Sequence, residues 1–203
     1  LKNIHLVDYM NITGGEPIQL PKHWELIDTI PDEHAKNITL SYDTNLTELT
    51  WKDRTIFQVA EKFKSVRLGV SCDHYGKKLS WMRYPIDVDK FESNLTQAKS
   101  LITQLNCTVS LLNVHDVQDI YDYYKTKFGI NTTFVNVVIG PDILSIKNLP
   151  NKEKLIEQYK NYNMIVQELR KPSDAKQYKK ALDYCQTLSD HRNFQYKHLW
   201  QHL

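Results

Sequence analysis

The chain has 203 residues, 41% of them hydrophobic, with 26 lysines and arginines against 24 aspartates and glutamates. That length suits one domain able to bury about 70% of its unfolded surface with no disulfide or metal needed merely to fold, and the near-neutral balance, without a basic stripe of interleaved aromatics, excludes nucleic acid as an expected partner. The longest apolar stretches are strand-sized and broken by polar residues, short of the roughly 20 residues that cross a bilayer, so a soluble, cytoplasmic protein without membrane contact is expected.

The first apolar run, residues 4–12, predicts a buried strand and ends in Thr13-Gly14-Gly15-Glu16-Pro17. Two adjacent glycines can adopt positive φ and expose bare backbone to a ligand, Glu16 adds one carboxylate, and Pro17 sets the exit direction. That combination suits an ammonium group; the same tetrapeptide also describes an ordinary strand-to-helix turn. A second strand, residues 38–43, runs into Ser41-Tyr42-Asp43-Thr44-Asn45. Ile56, Val59, Ala60 and Phe63 then share one helical face. Residues 66–71 form the next strand, closed by Ser71-Cys72-Asp73, and ten residues on, Arg83 in Ser80-Trp81-Met82-Arg83 reads as a lone arginine entering a helix, suited to pairing with a carboxylate. Each cluster has a plain reading beside the functional one: Asp43 and Asn45 as turn and cap, Asp73 as an Asx-turn, Arg83 as a solvated charge.

Val88, Phe91, Leu95, Ala98, Ile102 and Leu105 predict a helix of five turns, followed by a strand over residues 108–114 that ends near Asn113. Val117, Ile120, Tyr121, Tyr124 and Phe128 mark a third helix, closed by Gly129, and residues 134–139 a fifth strand. This alternation predicts a parallel sheet whose ligands gather at the carboxyl ends of its strands, where Gly14, Gly15 and Glu16 sit. After Pro141 the rhythm changes. Residues 143–150 predict an irregular connection, Leu155, Tyr159, Tyr162, Val166 and Leu169 a helix interrupted near Pro172, and Tyr178, Leu182, Cys185 and Leu188 a last helix with Ser173 or Asp174 as its N-cap. Residues 1–140 are therefore expected to form the α/β domain and residues 141–203 a helical extension.

Cys72, Cys107 and Cys185 are far apart and odd in number, and predict three free buried thiols with no metal site. Six Asn-x-Ser/Thr sequons, at Asn11, Asn37, Asn45, Asn94, Asn106 and Asn131, raise a secreted glycoprotein as a competing expectation. Asn11 and Asn106 border strand-like runs that leave little room for a glycan, and no cysteine framework accompanies them.

In order and spacing, Gly14-Gly15-Glu16-Pro17, Thr44-Asn45, Ser71-Cys72-Asp73 and Trp81-Met82-Arg83 resemble the radical S-adenosylmethionine (radical SAM) enzymes over about residues 4–140. The resemblance implies an incomplete (β/α)6 barrel of the partial TIM type, with five of six parallel strands. It implies that the Gly15 carbonyl and Glu16, within Gly14 to Pro17, hold the methionine amine of S-adenosylmethionine, that Ser71 meets its ribose or carboxylate, that Arg83 meets its carboxylate, and that Thr44, Asn45 and Asp73 complete the rim. Asn113 corresponds to a polar residue near the nucleoside. The implied chemistry is one-electron cleavage of S-adenosylmethionine at a [4Fe-4S] cluster to a 5′-deoxyadenosyl radical, with a small-molecule or peptide substrate and a reductant such as a flavodoxin or ferredoxin. Leu46 departs from the family's glycine after Thr44-Asn45, which predicts another path for that loop. The cluster's Cys-x3-Cys-x2-Cys is absent from the chain; with Leu1 in place of a methionine, the start reads as an internal position, downstream of the strand and loop that carry the motif. Residues 149–152 resemble the opening of the "twitch" extension of some members, where Cys185 alone is too few thiolates for a second cluster. The rival expectation is a non-catalytic α/β binding module, a degenerate relative or a secreted glycoprotein.

Overall fold

A computed structural model describes residues 2–200. In chain order the elements are β1 (Tyr9–Ile12), α1 (Pro21–Thr29), α2 (Asp32–Ala35), β2 (Thr39–Thr44), β3 (Thr50–Trp51), β4 (Arg54–Thr55), α3 (Ile56–Lys62), β5 (Ser65–Ser71), α4 (Gly76–Met82), α5 (Val88–Gln97), β6 (Ile102–Val109), α6 (Val117–Phe128), β7 (Thr133–Val137), α7 (Glu153–Gln158), α8 (Asn163–Leu169) and α9 (Ala175–Arg192). The fold is α/β, with a five-stranded parallel sheet in the order β1-β2-β5-β6-β7 and a separate β3-β4 hairpin.

All five expected strands are present, with three shifts. The first is shorter than residues 4–12, because Ile4–Leu6 forms a 3-10 turn and only Tyr9–Ile12 pairs. The helix expected to reach Leu105 ends at Gln97, and the strand expected over residues 108–114 occupies Ile102–Val109 instead. Leu105 fits a helical stripe and an alternating strand equally well; in the fold it is buried with Cys107 and Val109 on one side of β6, while Gln104, Asn106 and Thr108 are half-buried on the other. The connection after Pro141 contains two 3-10 turns, Asp142–Leu144 and Ile146–Asn148.

The chain divides into two compact units. The first comprises Leu1–Ser71, Ile86–Leu105 and Lys125–Thr133. In it β1 lies beside β2 with Tyr9 opposite Thr39, and β2 beside β5 with Thr39 opposite Ser65 and Thr44 opposite Val70. Leu40, Tyr42, Leu68 and Val70 are fully buried on one sheet face, each contributing about 1.5–3 kcal/mol of apolar burial at most, while Ser41, Asp43 and Arg67 alternate onto the other. The Trp24 indole donates to the Ile18 carbonyl at 2.8 Å, and His23 Nε2 lies 2.9 Å from the Tyr42 hydroxyl, so α1 is tied both to the chain just after Glu16 and to β2. Asn94 of α5 is buried and donates to the Leu46 carbonyl at 2.9 Å, packing that leaves no room for a glycan at this sequon. Gly129 takes φ +68°, the left-handed cap expected for α6.

The second unit comprises Cys72–Pro85, Asn106–Tyr124 and Phe134–Leu203. Asp174 caps α9 by accepting from the Lys176 and Gln177 amides at 2.8 and 3.4 Å, and Ala181, Cys185 and Ser189 bury one helical stripe. The buried Trp81 indole donates to Ser189 Oγ at 3.2 Å and to the Phe194 carbonyl at 3.0 Å, joining the end of α4 to the end of α9.

Candidate functional site

The rim of the first unit is assembled by the loops that leave β1 and β2. Gly14 and Gly15 have φ of +97° and +58°, a conformation that strains any other residue, and a Cβ on either would enter open space. Conformation rather than crowding therefore requires glycine here, and the backbone stands accessible. Pro17 opens the 3-10 turn Pro17–Gln19, fixed from behind by Trp24. Glu16 points its carboxylate into the neighbouring loop: Oε1 accepts from Thr44 Oγ1 at 2.6 Å, and Oε2 from the Asn45 amide at 3.0 Å and Thr47 Oγ1 at 3.5 Å. Burial pushes the Glu16 carboxyl above its ordinary value; these hydrogen bonds oppose the shift without cancelling it. Among the described residues no lysine, arginine or histidine forms an ion pair with Glu16.

Thr44 Oγ1 also accepts from the Leu46 amide at 2.8 Å. Leu46 has φ +54°, in the left-handed region that favours glycine, with its side chain fully buried. Leucine thus occupies a glycine-type conformation here, and burial of its side chain offsets a strain of about 1–2 kcal/mol. Ser71 ends β5, half-buried on the polar sheet face.

In the second unit Asp73, Arg83 and Asn113 come together. Arg83 follows the end of α4 instead of entering a helix, which corrects that expectation, and its Nη2 lies 2.8 Å from Asp73 Oδ2. Asp73 Oδ1 accepts from the Thr108 amide at 2.8 Å. Asn113 lies four residues beyond β6, not at its end. It is fully buried: Oδ1 accepts from the Ser110 amide at 2.8 Å, and Nδ2 donates to the Asp73 and Thr108 carbonyls at 2.8 and 3.1 Å. Its hydrogen-bonding capacity is spent on backbone, so it shapes the Asp73 loop.

Three groups were not legible as site components. Thr47, the third donor to Glu16, stands in a sequence position that reads as a sequon. His74, Lys78 and Asp116 form a cluster in the second unit, with Asp116 Oδ2 2.9 Å from His74 Nε2 and 2.6 Å from Lys78 Nζ. The Tyr75 amide donates to His74 Nδ1 at 2.9 Å, so the ring is neutral with its proton on Nε2, aimed at Asp116. Burial would raise Asp116, but hydrogen bonds from His74 and Lys78 outweigh it and hold the carboxyl at about 2. Arg192, at the end of α9, donates to the Trp81 carbonyl at 2.6 Å.

Among the described residues no three histidines, cysteines or acids gather as a metal site. Cys72, Cys107 and Cys185 are free and buried, and burial raises all three thiols, Cys72 to about 12 and Cys185 to about 11. Thiols held protonated on separate elements do not fit a [4Fe-4S] cluster, which takes thiolates. The Gly14–Glu16 rim does fit an ammonium-bearing ligand, because it offers open backbone beside a carboxylate that lacks a cation. No helix among the described residues is long and apolar enough to cross a membrane.

No protein-family model matches the chain. The chain is similar to a probable GTP 3′,8-cyclase of Methanocaldococcus jannaschii, 27% identical over 175 residues that cover 83% of this chain and 52% of that protein. It spans about half the length of that relative.

Proposed function

We propose that this chain is the S-adenosylmethionine-binding portion of a radical SAM enzyme, a partial α/β barrel with a helical C-terminal extension, working in the cytoplasm. The observation that carries this reading is Glu16: a half-buried carboxylate, raised by burial, satisfied only by neutral donors, and adjacent to two exposed left-handed glycines. The similarity to a radical SAM-family cyclase supports it. When bound, S-adenosylmethionine together with a [4Fe-4S] cluster supplies one-electron radical chemistry; the cluster's ligands, the reductant (a flavodoxin or ferredoxin) and the small-molecule or peptide substrate lie outside this chain. The chain's own residues bind and orient. Glu16 and the Gly15 carbonyl accept from the methionine ammonium, Ser71 donates to the ribose or carboxylate, and Arg83, set by Asp73, meets the carboxylate. Thr44 and Asn45 hold Glu16 in place, and Asn113 holds the loop that carries Asp73.

Titration calorimetry of the 203-residue chain with S-adenosylmethionine tests this. The expected result is binding that weakens about ten- to a hundredfold in Glu16→Gln and about fivefold in Ser71→Ala. Equal affinity of Glu16→Gln and the parent would reduce Gly14 to Pro17 to a plain turn. Anaerobic reconstitution is expected to load no cluster; uptake of about four irons per chain would overturn the reading of the cysteines.

A further inference from the structure

We infer that the second unit carries a ligand site of its own, a cavity of about 190 Å³ that takes a small monocarboxylate with an apolar body, held by Arg192. The S-adenosylmethionine reading gives Arg192 no part; of the residues it uses, only Asp73 lines this cavity, with its charge taken up by Arg83.

The cavity is lined by Thr108 and Ser110 and by Tyr184, Leu188 and Arg192 of α9, with apolar surface from Leu112 and Val138. Arg192 is held in place. One Nη donates to the Trp81 carbonyl, and the guanidinium carbon stands 5.3 Å from the centre of the Trp81 ring and 5.2 Å from that of Tyr84, a cation-π arrangement that fixes its plane. Trp81 is itself anchored to Ser189 and Phe194, so the cation is presented on a rigid support. Arg192 has no carboxylate partner among the described residues.

Charge decides the class of ligand. The one acid in the wall, Asp73, is neutralised by Arg83, which leaves the single positive charge of Arg192 facing the cavity. A guanidinium fork matches a carboxylate in bidentate fashion, whereas a phosphate dianion leaves a second charge uncompensated. The hydroxyl of Thr108 adds a neutral hydrogen bond, while that of Ser110 is taken up by Asn113 and the Leu112 amide, and the leucine and valine surface takes an apolar body. The volume lies below the 300–1,000 Å³ of drug-sized sites, which restricts the occupant to a small molecule.

The test is titration of the 203-residue chain, followed by calorimetry and by amide chemical shifts, with 3-phenylpropionate, its neutral analogue 3-phenylpropionamide, and inorganic phosphate. We expect 3-phenylpropionate to bind with a dissociation constant on the order of 1 mM, and the amide and phosphate at least tenfold more weakly. Arg192→Gln should lose at least tenfold while keeping a cooperative thermal transition, at a midpoint lowered by the lost contacts with Trp81 and Tyr84. Should that variant fail to fold, Thr108→Phe fills the cavity from β6 without touching the Arg192 contacts and should abolish binding. Equal binding of acid and amide, tighter binding of phosphate, undiminished binding by folded Arg192→Gln or by Thr108→Phe, or displacement by S-adenosylmethionine would each overturn the proposal. Glu16→Gln should bind 3-phenylpropionate as the parent does, which keeps a failure of the cofactor reading apart from a failure of this one.

Discussion

Glu16 in the first unit and Asp116 in the second are both carboxylates drawn partly out of water, and they are stabilised by different means. Asp116 lies against Lys78 Nζ and His74 Nε2, and is held down at about 2. Among the described residues Glu16 has Thr44, Asn45 and Thr47 as donors, all neutral, and burial lifts its carboxyl. A carboxylate already compensated by a lysine has little to gain from a further cation, so Asp116 is a structural clamp. One left with neutral partners carries a desolvation cost that a cation would relieve. Of the two it is Glu16 that is suited to bind a charged ligand.

Removing each carboxylate separates the two roles, and the largest effect is expected at Asp116. Asp116→Ala leaves Lys78 without its counter-charge and His74 without an acceptor, and should cost about 3 kcal/mol in denaturant unfolding. A loss below about 1 kcal/mol would mean that the cluster is not a clamp. Glu16→Gln should behave in the opposite way. Affinity for S-adenosylmethionine should fall by about 1.5–3 kcal/mol, with the unfolding free energy changed by less than about 1 kcal/mol because Gln keeps one acceptor for Thr44 or Asn45. A variant that unfolded readily yet bound normally would erase the distinction.

The pH dependence sharpens it further. Asp116 is depressed in the folded state, so its contribution is complete above the ordinary carboxylate value of 3.8 and is lost as pH falls toward about 2. Glu16 is raised, so the folded state holds its proton more tightly and ionisation costs stability as pH rises above 4.5 through the folded value. Urea midpoints between pH 3 and 7 should therefore show the Asp116→Ala deficit shrinking toward acid and Glu16→Gln gaining on the parent toward neutrality. His23 adds an acid-side loss to every variant: burial lowers it from 6.5 to about 4, so stability declines as pH falls through that interval. Identical pH profiles for parent and Glu16→Gln would contradict the raised carboxyl.

The smallest effect on affinity is expected at Thr44→Val, which removes the 2.6 Å hydrogen bond to Glu16 and the acceptor for the Leu46 amide. It should cost about 1 kcal/mol of stability and a few-fold in affinity. An affinity loss as large as that of Glu16→Gln would show that Thr44 meets the ligand directly.

How much could be read without the fold differs between the two regions. Gly14-Gly15-Glu16-Pro17 and Thr44-Asn45 are short contiguous runs at strand ends, and the structure joins them by the hydrogen bond from Thr44 to Glu16. The α5–β6 boundary is ambiguous in the sequence because Ile102 and Leu105 satisfy a helical and an extended period alike; the fold resolves it by burying Leu105, Cys107 and Val109 together. Arg83 reads as a ligand-facing cation in isolation, and only the three-dimensional arrangement gives it Asp73 as a partner.

From residue order alone, the alternation of apolar runs and helical stripes determined an α/β chain with five strands, and the glycine pair and its glutamate marked a place where backbone must be left-handed and exposed, because those properties depend on local sterics and periodicity. Whether a charged side chain is compensated depends on what distant segments bring to it. Tertiary structure decided that Asp116 would meet a lysine 38 residues away and that Glu16, 28 residues before Thr44, would meet none among the described residues. It also decided that Trp81 and Arg192, 111 residues apart, would share one wall of a cavity. Coulomb and desolvation energies follow distance in space, and separation along the chain does not encode that distance.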